Sequence, residues 1–262
     1  MINSVSIISP SQDADSLLLR CAKSAHRSSI RCTDTAVEHI FVIDGGNDDE
    51  TIWQQITDLE DEKYRVRKIS LLGNRGVAFA RNEALRVASG NYVMFLDADD
   101  SFEAPKITEQ IKLMEQQRAN FSYTGFIEFS AKTGRQWPVE ASESLDVTVL
   151  KERCPICTSS VCISRDWLVS VMGGSEDLFP HQRMRSDWLG WYKIAGKDGF
   201  KSARVAGYYV RRQVGSKSLT ANKFRTITYN YRVFRQTGHS ILSSIIRAVL
   251  YPLDSLRRRI FN

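Results

Sequence analysis

Apolar residues along this chain gather into short runs separated by polar stretches of helical period. Residues 5–8, Val-Ser-Ile-Ile, form the first run and stop at Ser9-Pro10. Residues 39–43 and 65–72 form two more, and 92–96 is a continuous apolar run after the turn pair Gly90-Asn91. Short apolar runs bounded by turn signals suit strands buried on both faces of a parallel sheet. Between them, residues 13–27, the segment carrying Ile52, Trp53 and Ile56, and residues 76–88 have helical spacing. Strand and helix therefore alternate, which predicts an α/β fold, a mainly parallel sheet with right-handed crossovers and flanking helices. Pro105 then opens a helix to about Arg118 with Ile107, Ile111 and Met114 on one face. Residues 120–129 and 135–139 read as strands around the Lys132-Thr133-Gly134 turn, and 140–153 as irregular or partly helical. Residues 156–164 read as a strand, 167–172 as a short helix, 184–194 as the start of an aromatic-rich helix, and 200–212 as a strand.

Composition adds that the chain is globular, with 42% hydrophobic and 25% charged residues over 262 positions. That length suits one large domain, residues 1–220, plus a basic helical appendage, residues 221–262. No run approaches the ~20 apolar residues of a membrane span and no basic leader precedes the first strand, so the chain is expected in the cytosol. Five cysteines, an odd number, argue against a disulfide framework. Cys154 and Cys157 have a spacing used by zinc or redox pairs, but with Cys162 they lack a nearby fourth ligand and read as reduced thiols.

Charge divides the chain. Residues 201–262 hold thirteen Lys/Arg and one acid, Asp254, leaving 23 basic and 29 acidic residues in the first 200. The tail is thus strongly cationic, which points to a membrane surface, a diphosphate or nucleic acid as an anionic partner. Within it, Leu242, Ile245, Ile246, Val249, Leu250, Leu253 and Leu256 share one helical face, and Arg257-Arg258-Arg259 adds a basic end. Such a helix either packs on its own domain or lies in a membrane interface, and the excess of Lys/Arg favours the interface. Arg247, Pro252 and Asp254 argue against spanning. The tail carries no motif of a nucleic-acid reader, so nucleic acid is not expected as a partner.

The chemistry concentrates at residues 72–100. Asp97, Asp99 and Asp100 follow the fourth strand, and ligands of open α/β sheets bind outside the carboxyl ends of strands. Carboxylates so close together call for a cation, and hard oxygen donors suit Mg²⁺ or Mn²⁺ shared with substrate phosphates. An ordinary turn and helix cap is the alternative for Asp-Asp-Ser. The stretch as a whole resembles the inverting family 2 glycosyltransferases of the GT-A fold, of the bacterial surface-polysaccharide type. Asn74, Gly76, Ala80, Arg81 and Asn82 match one part of that pattern. Gly90, Tyr92, Phe95, Leu96, Asp97, Asp99 and Asp100 match the other, with the DxD motif at its end. The opening strand through Pro10 and the segment Asp44 to Thr51 also match, except that Gly45 stands where a second Asp often helps recognise the base. The resemblance extends over about residues 3–220 and includes Ser186-Asp187-Trp188, where Ser186 replaces the usual Glu.

The resemblance implies a nucleotide-binding half, 1–100, and an acceptor half, 101–220. It assigns Ser9 and Asp44 to the nucleoside, Arg81 to the base or phosphates, and Asp97 and Asp99 to the metal, with Asp97 also beside the donor. Arg211, Arg212 and Lys217 are the diphosphate candidates, and Asp187 is the general base. Ser186 or Asp187 could instead only cap a helix, and Asp44 could be a turn residue. The implied reaction moves a sugar, with inversion, from a nucleotide diphosphate (UDP-sugar foremost) to a hydroxyl of a glycan acceptor that is lipid-linked. The setting would be O-antigen, capsule or exopolysaccharide assembly on the inner face of the cell membrane. A sugar-nucleotide pyrophosphorylase and a non-catalytic binder of glycan precursors are the competing readings.

Overall fold

A computed structural model describes residues 3–32, 34–173, 176–215 and 223–261, excluding the side chains of 223–224 and 253–261. The first half alternates β1 (Asn3–Ser11), α1 (Ser16–Ile30), β2 (Thr35–Asp44), α2 (Glu50–Thr57), β3 (Tyr64–Leu71), α3 (Val77–Val87) and β4 (Tyr92–Phe95). β1, β2, β3 and β4 pair in parallel, in the spatial order β3-β2-β1-β4. Helix starts follow side-chain caps: Asp15 accepts from the Leu17 and Leu18 amides, and Asp49 from those of Thr51 and Ile52. β1 continues through Pro10 because pairing with β4 ends at Ile8, so the missing N–H costs no ladder bond on that side. Gly90 can only be glycine here, since a Cβ would lie 2.6 Å from the Ser6 nitrogen.

The second half is more mixed than strict alternation. It comprises β5 (Ser101–Phe102), α4 (Lys106–Gln117), β6 (Phe121–Ser130), β7 (Gln136–Val139), α5 (Val147–Glu152), β8 (Cys162–Ser164), α6 (Arg165–Met172), α7 (Ser186–Ala195) and β9 (Ser202–Val214). β8 is antiparallel to both β4 and β6, β7 is antiparallel to β6, and β9 runs parallel to β6. The expected strand over 156–164 breaks in two. Thr158–Ser160 form a 3-10 turn, and only Cys162–Ser164 join the sheet. Three consecutive hydroxyl residues explain the break: the Ser160 hydroxyl donates to the Cys157 carbonyl at 2.7 Å, a local bond that competes with a ladder.

One face of the sheet packs aromatics from several elements, among them Phe95, Phe121, Phe179 and Trp191. The other buries Val5, Ile7, Cys21, Ala25, Met94, Ile107 and Met114 under α1 and α4. All five cysteines are free.

The C-terminal segment is two helices, α8 (Lys223–Gln236) and α9 (Ile241–Phe261). The helical reading of 221–262 holds for both; α8 is rich in β-branched and aromatic residues such as Thr226, Ile227, Thr228, Tyr229 and Val233, so packing rather than propensity carries it. Both helices pack on α7. Trp188 stacks on Tyr251 with ring centroids 5.0 Å apart and meets Phe234 edge-on at 5.4 Å. The Tyr251 hydroxyl donates to the Cys154 carbonyl and accepts from its amide, both at 3.3 Å. α9 turns its small and polar side inward: Ser244 and Ala248 are buried, and Arg247 pairs with Glu152. Ile241, Leu242, Ile245, Ile246, Val249 and Leu250 are exposed by between 49% and 69%. Packing on the domain thus uses the face opposite the apolar stripe. Among the described residues no helix is long and apolar enough to cross a membrane.

This packing predicts that Phe234→Ala, at a fully enclosed position, loses about 3–5 kcal/mol in urea unfolding. Leu242→Ser on the outward face should change stability by less than about 0.5 kcal/mol.

Candidate active site

The apolar β4 delivers Asp97, Asp99 and Asp100 to the sheet edge. Asp100 is buried; its Oδ2 accepts from the Ser159 hydroxyl at 2.6 Å and its Oδ1 from the Gln213 amide at 3.1 Å. Burial first, then the charges of Asp97 and Asp99, push its carboxyl well above the ordinary carboxylate range. Asp99 is also raised, by burial and by Asp97, while Arg212 and Arg20 oppose the shift. Three cations answer the cluster. Arg81, on α3, pairs with Asp97 Oδ1 and lies over the Phe179 ring. Arg20, on α1, donates to the Asp99 carbonyl at 2.6 Å and to Gln213 Oε1 at 3.0 Å. Arg212, on β9, reaches Glu128 Oε1 at 3.1 Å.

Asp187 lies half-buried in the first turn of α7, and its Oδ2 accepts from the Thr158 hydroxyl at 3.0 Å. It does not cap the helix, and neither does Ser186. The cap position is Arg185, with φ 63°, held by Asn230 Oδ1 at 3.0 Å and by the Tyr251 ring. Thr158 is followed by Ser159, which touches both Asp97 and Asp100. One short turn therefore brings Asp187 and the carboxylate cluster together.

The remaining expected residues are placed elsewhere. Ser9 is fully buried, and its hydroxyl bonds His39 Nε2 at 2.7 Å and Cys21 Sγ at 3.4 Å, leaving its side chain no surface for a nucleoside. Asp44 is buried beneath the loop before α3, where its two oxygens accept from the Arg75 and Gly76 amides, each at 2.7 Å. Arg211 points to the side away from Arg212, toward Gln136 and Glu103. Lys217 lies outside the described residues. Gly45, at φ +75°, lies so close to the same loop that a Cβ would be 2.2 Å from the Gly73 carbonyl carbon.

Sequence reasoning missed Arg20, Thr158, Ser159, Glu128 and Gln213. Of these, only the run of three hydroxyl residues at 158–160 stands out in the chain itself. The others acquire meaning through β9 and α1 crossing the sheet edge.

A scan against family models matches residues 6–171 to "Glycosyl transferase family 2". The chain belongs to glycosyl transferase family 2. A curated relative, the UDP-Glc:alpha-D-GlcNAc-diphosphoundecaprenol beta-1,3-glucosyltransferase WfaP of Escherichia coli, is 29% identical over 85% of this chain and 84% of its own length. WfgD of the same organism and description is 27% identical over 98% of this chain and 96% of its own. Among solved structures, residues 1–349 of S. aureus TarS in complex with UDP-GlcNAc align with TM-score 0.66 and 14% identity, over 95% of this chain and 73% of that one. The mannosyltransferase PcManGT of Pyrobaculum calidifontis, in complex with GDP-Man and Mn²⁺, aligns with TM-score 0.63 and 14% identity over 94% and 69%. The fold is thus GT-A, and this family 2 member is a glycosyltransferase.

No group of three His, Cys, Asp or Glu side chains among the described residues is arranged to hold a metal. Asp97 gives one oxygen to Arg81, and the Asp99 side chain makes no hydrogen bond to another described residue. Two carboxylates with oxygen atoms to spare fit an ion that completes its shell with water and phosphate.

The buried network behind Ser9 carries a pH prediction. His39 bonds Ser9 through Nε2 and the Tyr64 hydroxyl through Nδ1 at 2.5 Å, and burial lowers its pKa from 6.5 to about 3. Between those values the unfolded chain binds the extra proton, so this contribution to stability is complete above the unfolded pKa and declines as pH falls toward the folded one. The decline is at most about 1.4 kcal/mol per pH unit. Urea unfolding between pH 7 and pH 4.5 should be less pH-dependent in His39→Gln than in the wild-type chain.

Proposed function

We propose that this chain is a divalent-metal-dependent, inverting glycosyltransferase that moves a sugar from a UDP-sugar to a hydroxyl of a lipid-linked glycan. The observation that carries the reading is the joining of Asp187 to the Asp97–Asp100 cluster through one buried turn. Support for the donor comes from the UDP-Glc in the names of two relatives and the UDP-GlcNAc bound to a structural neighbour. Support for the acceptor comes from the diphosphoundecaprenol in those relatives' names. Support for a place in surface-polysaccharide assembly comes from the same likeness, and from that to TuaG of Bacillus subtilis, named for teichuronic acid biosynthesis, 27% identical over 88% of this chain and 87% of its own length.

In this reading Asp187 accepts the proton of the acceptor hydroxyl as its oxygen attacks the anomeric carbon. The bond from that carbon to the diphosphate oxygen breaks on the opposite side, and one displacement inverts the centre. Asp99 and Asp97 would hold Mn²⁺ or Mg²⁺, which neutralises charge on the departing nucleotide diphosphate. Arg212 and Arg81 add cationic character around the carboxylates, and Arg212, whose side chain is partly exposed, is the diphosphate candidate among them. Asp44 serves the donor through the loop it holds, and Ser9 through the strand it anchors.

An acceptor confined to a bilayer places the enzyme at the inner face of the cell membrane. The outward apolar stripe of α9, followed by Arg257-Arg258-Arg259, is suited to peripheral contact with anionic lipid. Because the inward face of α9 belongs to the core, single outward side chains are the right ones to change.

Two tests follow. A panel of UDP-sugars with Mn²⁺ and a GlcNAc-diphosphate-lipid acceptor should give UDP release that EDTA abolishes. Asp187→Asn should keep UDP binding and lose on the order of 10²–10⁴ in turnover; unchanged turnover returns Asp187 to a structural part. For the membrane, the full chain should sediment with phosphatidylglycerol vesicles at low salt and release as salt shortens the screening length below ~10 Å. Leu242→Ser with Ile246→Ser should weaken sedimentation at unchanged melting temperature, and indifference of the wild-type chain to the vesicles would remove the membrane contact.

A further inference from the structure

The turn Thr158–Ser160 uses its three buried hydroxyls in three different ways. Ser160 closes the turn itself, donating to the Cys157 carbonyl. Ser159 leaves the turn: its oxygen accepts from the Asp97 amide at 3.1 Å and its proton goes to Asp100 Oδ2 at 2.6 Å. Thr158 leaves it on the other side and donates to Asp187 Oδ2 at 3.0 Å. Buried hydroxyls need partners wherever they are. Here, however, the two partners are carboxylates carried by different elements, the end of β4 and the start of α7.

The turn is also backed from behind. Gln110 donates to the Ser160 carbonyl at 3.0 Å and to the Ser122 hydroxyl at 3.1 Å, and its own carbonyl oxygen accepts from the fully buried Lys106 ammonium. Lys106 in turn lies over the Phe102 ring at 4.3 Å. The two backbone bonds Ser160 N to Cys157 O, 3.0 Å, and Val161 N to Thr158 O, 3.1 Å, fix the peptide planes between them. A turn held on its hidden side by a buried amide has little freedom to let Thr158 and Ser159 move independently.

We propose that Thr158 and Ser159 are positioning residues that set the distance and orientation between the general base Asp187 and the segment 97–100, whose buried Asp100 and Asp97 amide anchor it to Ser159 and whose Asp97 and Asp99 carboxylates face the donor diphosphate. The inference rests on the assignment of Asp187 as base. Thr158 orients one Asp187 oxygen and leaves the other for the acceptor hydroxyl, while Ser159 holds Asp97 and Asp100 at the opposite end of the same peptide. Acceptor and donor are thereby aligned by adjacent residues. Misplacement of a reacting group by about 1 Å is enough to cost on the order of 10²-fold in rate.

The test uses the full chain and the UDP-sugar of highest turnover in the panel. Thr158→Val keeps the shape and removes the donor; it should lower kcat by on the order of 10²-fold with donor KM, UDP affinity and melting temperature unchanged. Thr158→Ser should restore most of the rate. Ser159→Ala should instead move donor KM and UDP affinity in the presence of Mn²⁺. If Thr158→Val fails to fold, Thr158→Ala replaces it with the same expectation. In the Asp187→Asn background the Thr158 change should have no further effect. Wild-type kcat in the folded Thr158→Val variant, or in Thr158→Ala where it replaces it, with Asp187→Asn inactive, overturns the positioning role alone. An active Asp187→Asn enzyme overturns the base assignment on which it rests.

Discussion

Mutual repulsion among Asp97, Asp99 and Asp100 is the constraint around which this protein is arranged. Three carboxylates within four positions, partly withdrawn from water, are tolerable only if charge and hydrogen bonds converge on them. Convergence comes from distant parts of the chain: Arg20 from α1, Arg81 from α3, Ser159 from the buried turn, and Arg212 with the Gln213 amide from β9. The sheet order makes that possible. β9 returns parallel to β6 and pairs with β5 immediately after the cluster, so that Ser101 lies opposite Arg211 and Arg212 follows next in the strand. The family motif around Arg81 gains the same explanation. Ala80 packs into the core, Arg81 meets Asp97, and Asn82 exchanges two hydrogen bonds with the Phe179 backbone, at 2.8 and 3.0 Å.

The C-terminal helices show how one amphipathic sequence can be used the opposite way round. A stripe of leucines and isoleucines ordinarily faces the core. In α9 the core takes Ser244, Ala248 and the Tyr251 ring, because Trp188, Phe234 and the Cys154 backbone already supply a shaped apolar and polar surface. The same contacts reach Arg185, whose guanidinium is held by Asn230 and Tyr251 directly before the helix that carries Asp187. The helix that carries Asp187 is thus supported from the segment that sequence alone sets apart as an appendage.

Legibility followed how local the cause was. The parallel half could be read because each buried strand is a continuous apolar run and two helix starts carry aspartate caps. The carboxylate cluster could be read because it is contiguous. The antiparallel insertion of β8 and the two-residue β5 could not, since each depends on pairing with distant segments, and neither could the packing of α8 on α7. Ser9 illustrates the limit at a single residue. The family resemblance assigns it to a nucleoside, yet its hydroxyl belongs to a buried chain with His39 and Tyr64 that no local pattern announces. Asp44 is similar: the family resemblance marks it, while the fold gives both its oxygens to the backbone of another loop.

Gly45 adds a steric constraint to the same loop. Its missing side chain is where the Gly73 and Asn74 backbones pass, and the next residue, Gly46, is equally enclosed by the Gln12 carbonyl at 2.2 Å from its would-be Cβ. An aspartate, or any other side chain, at position 45 would require the loop at 73–76 to be rebuilt in the same step. The two loops can therefore change only together.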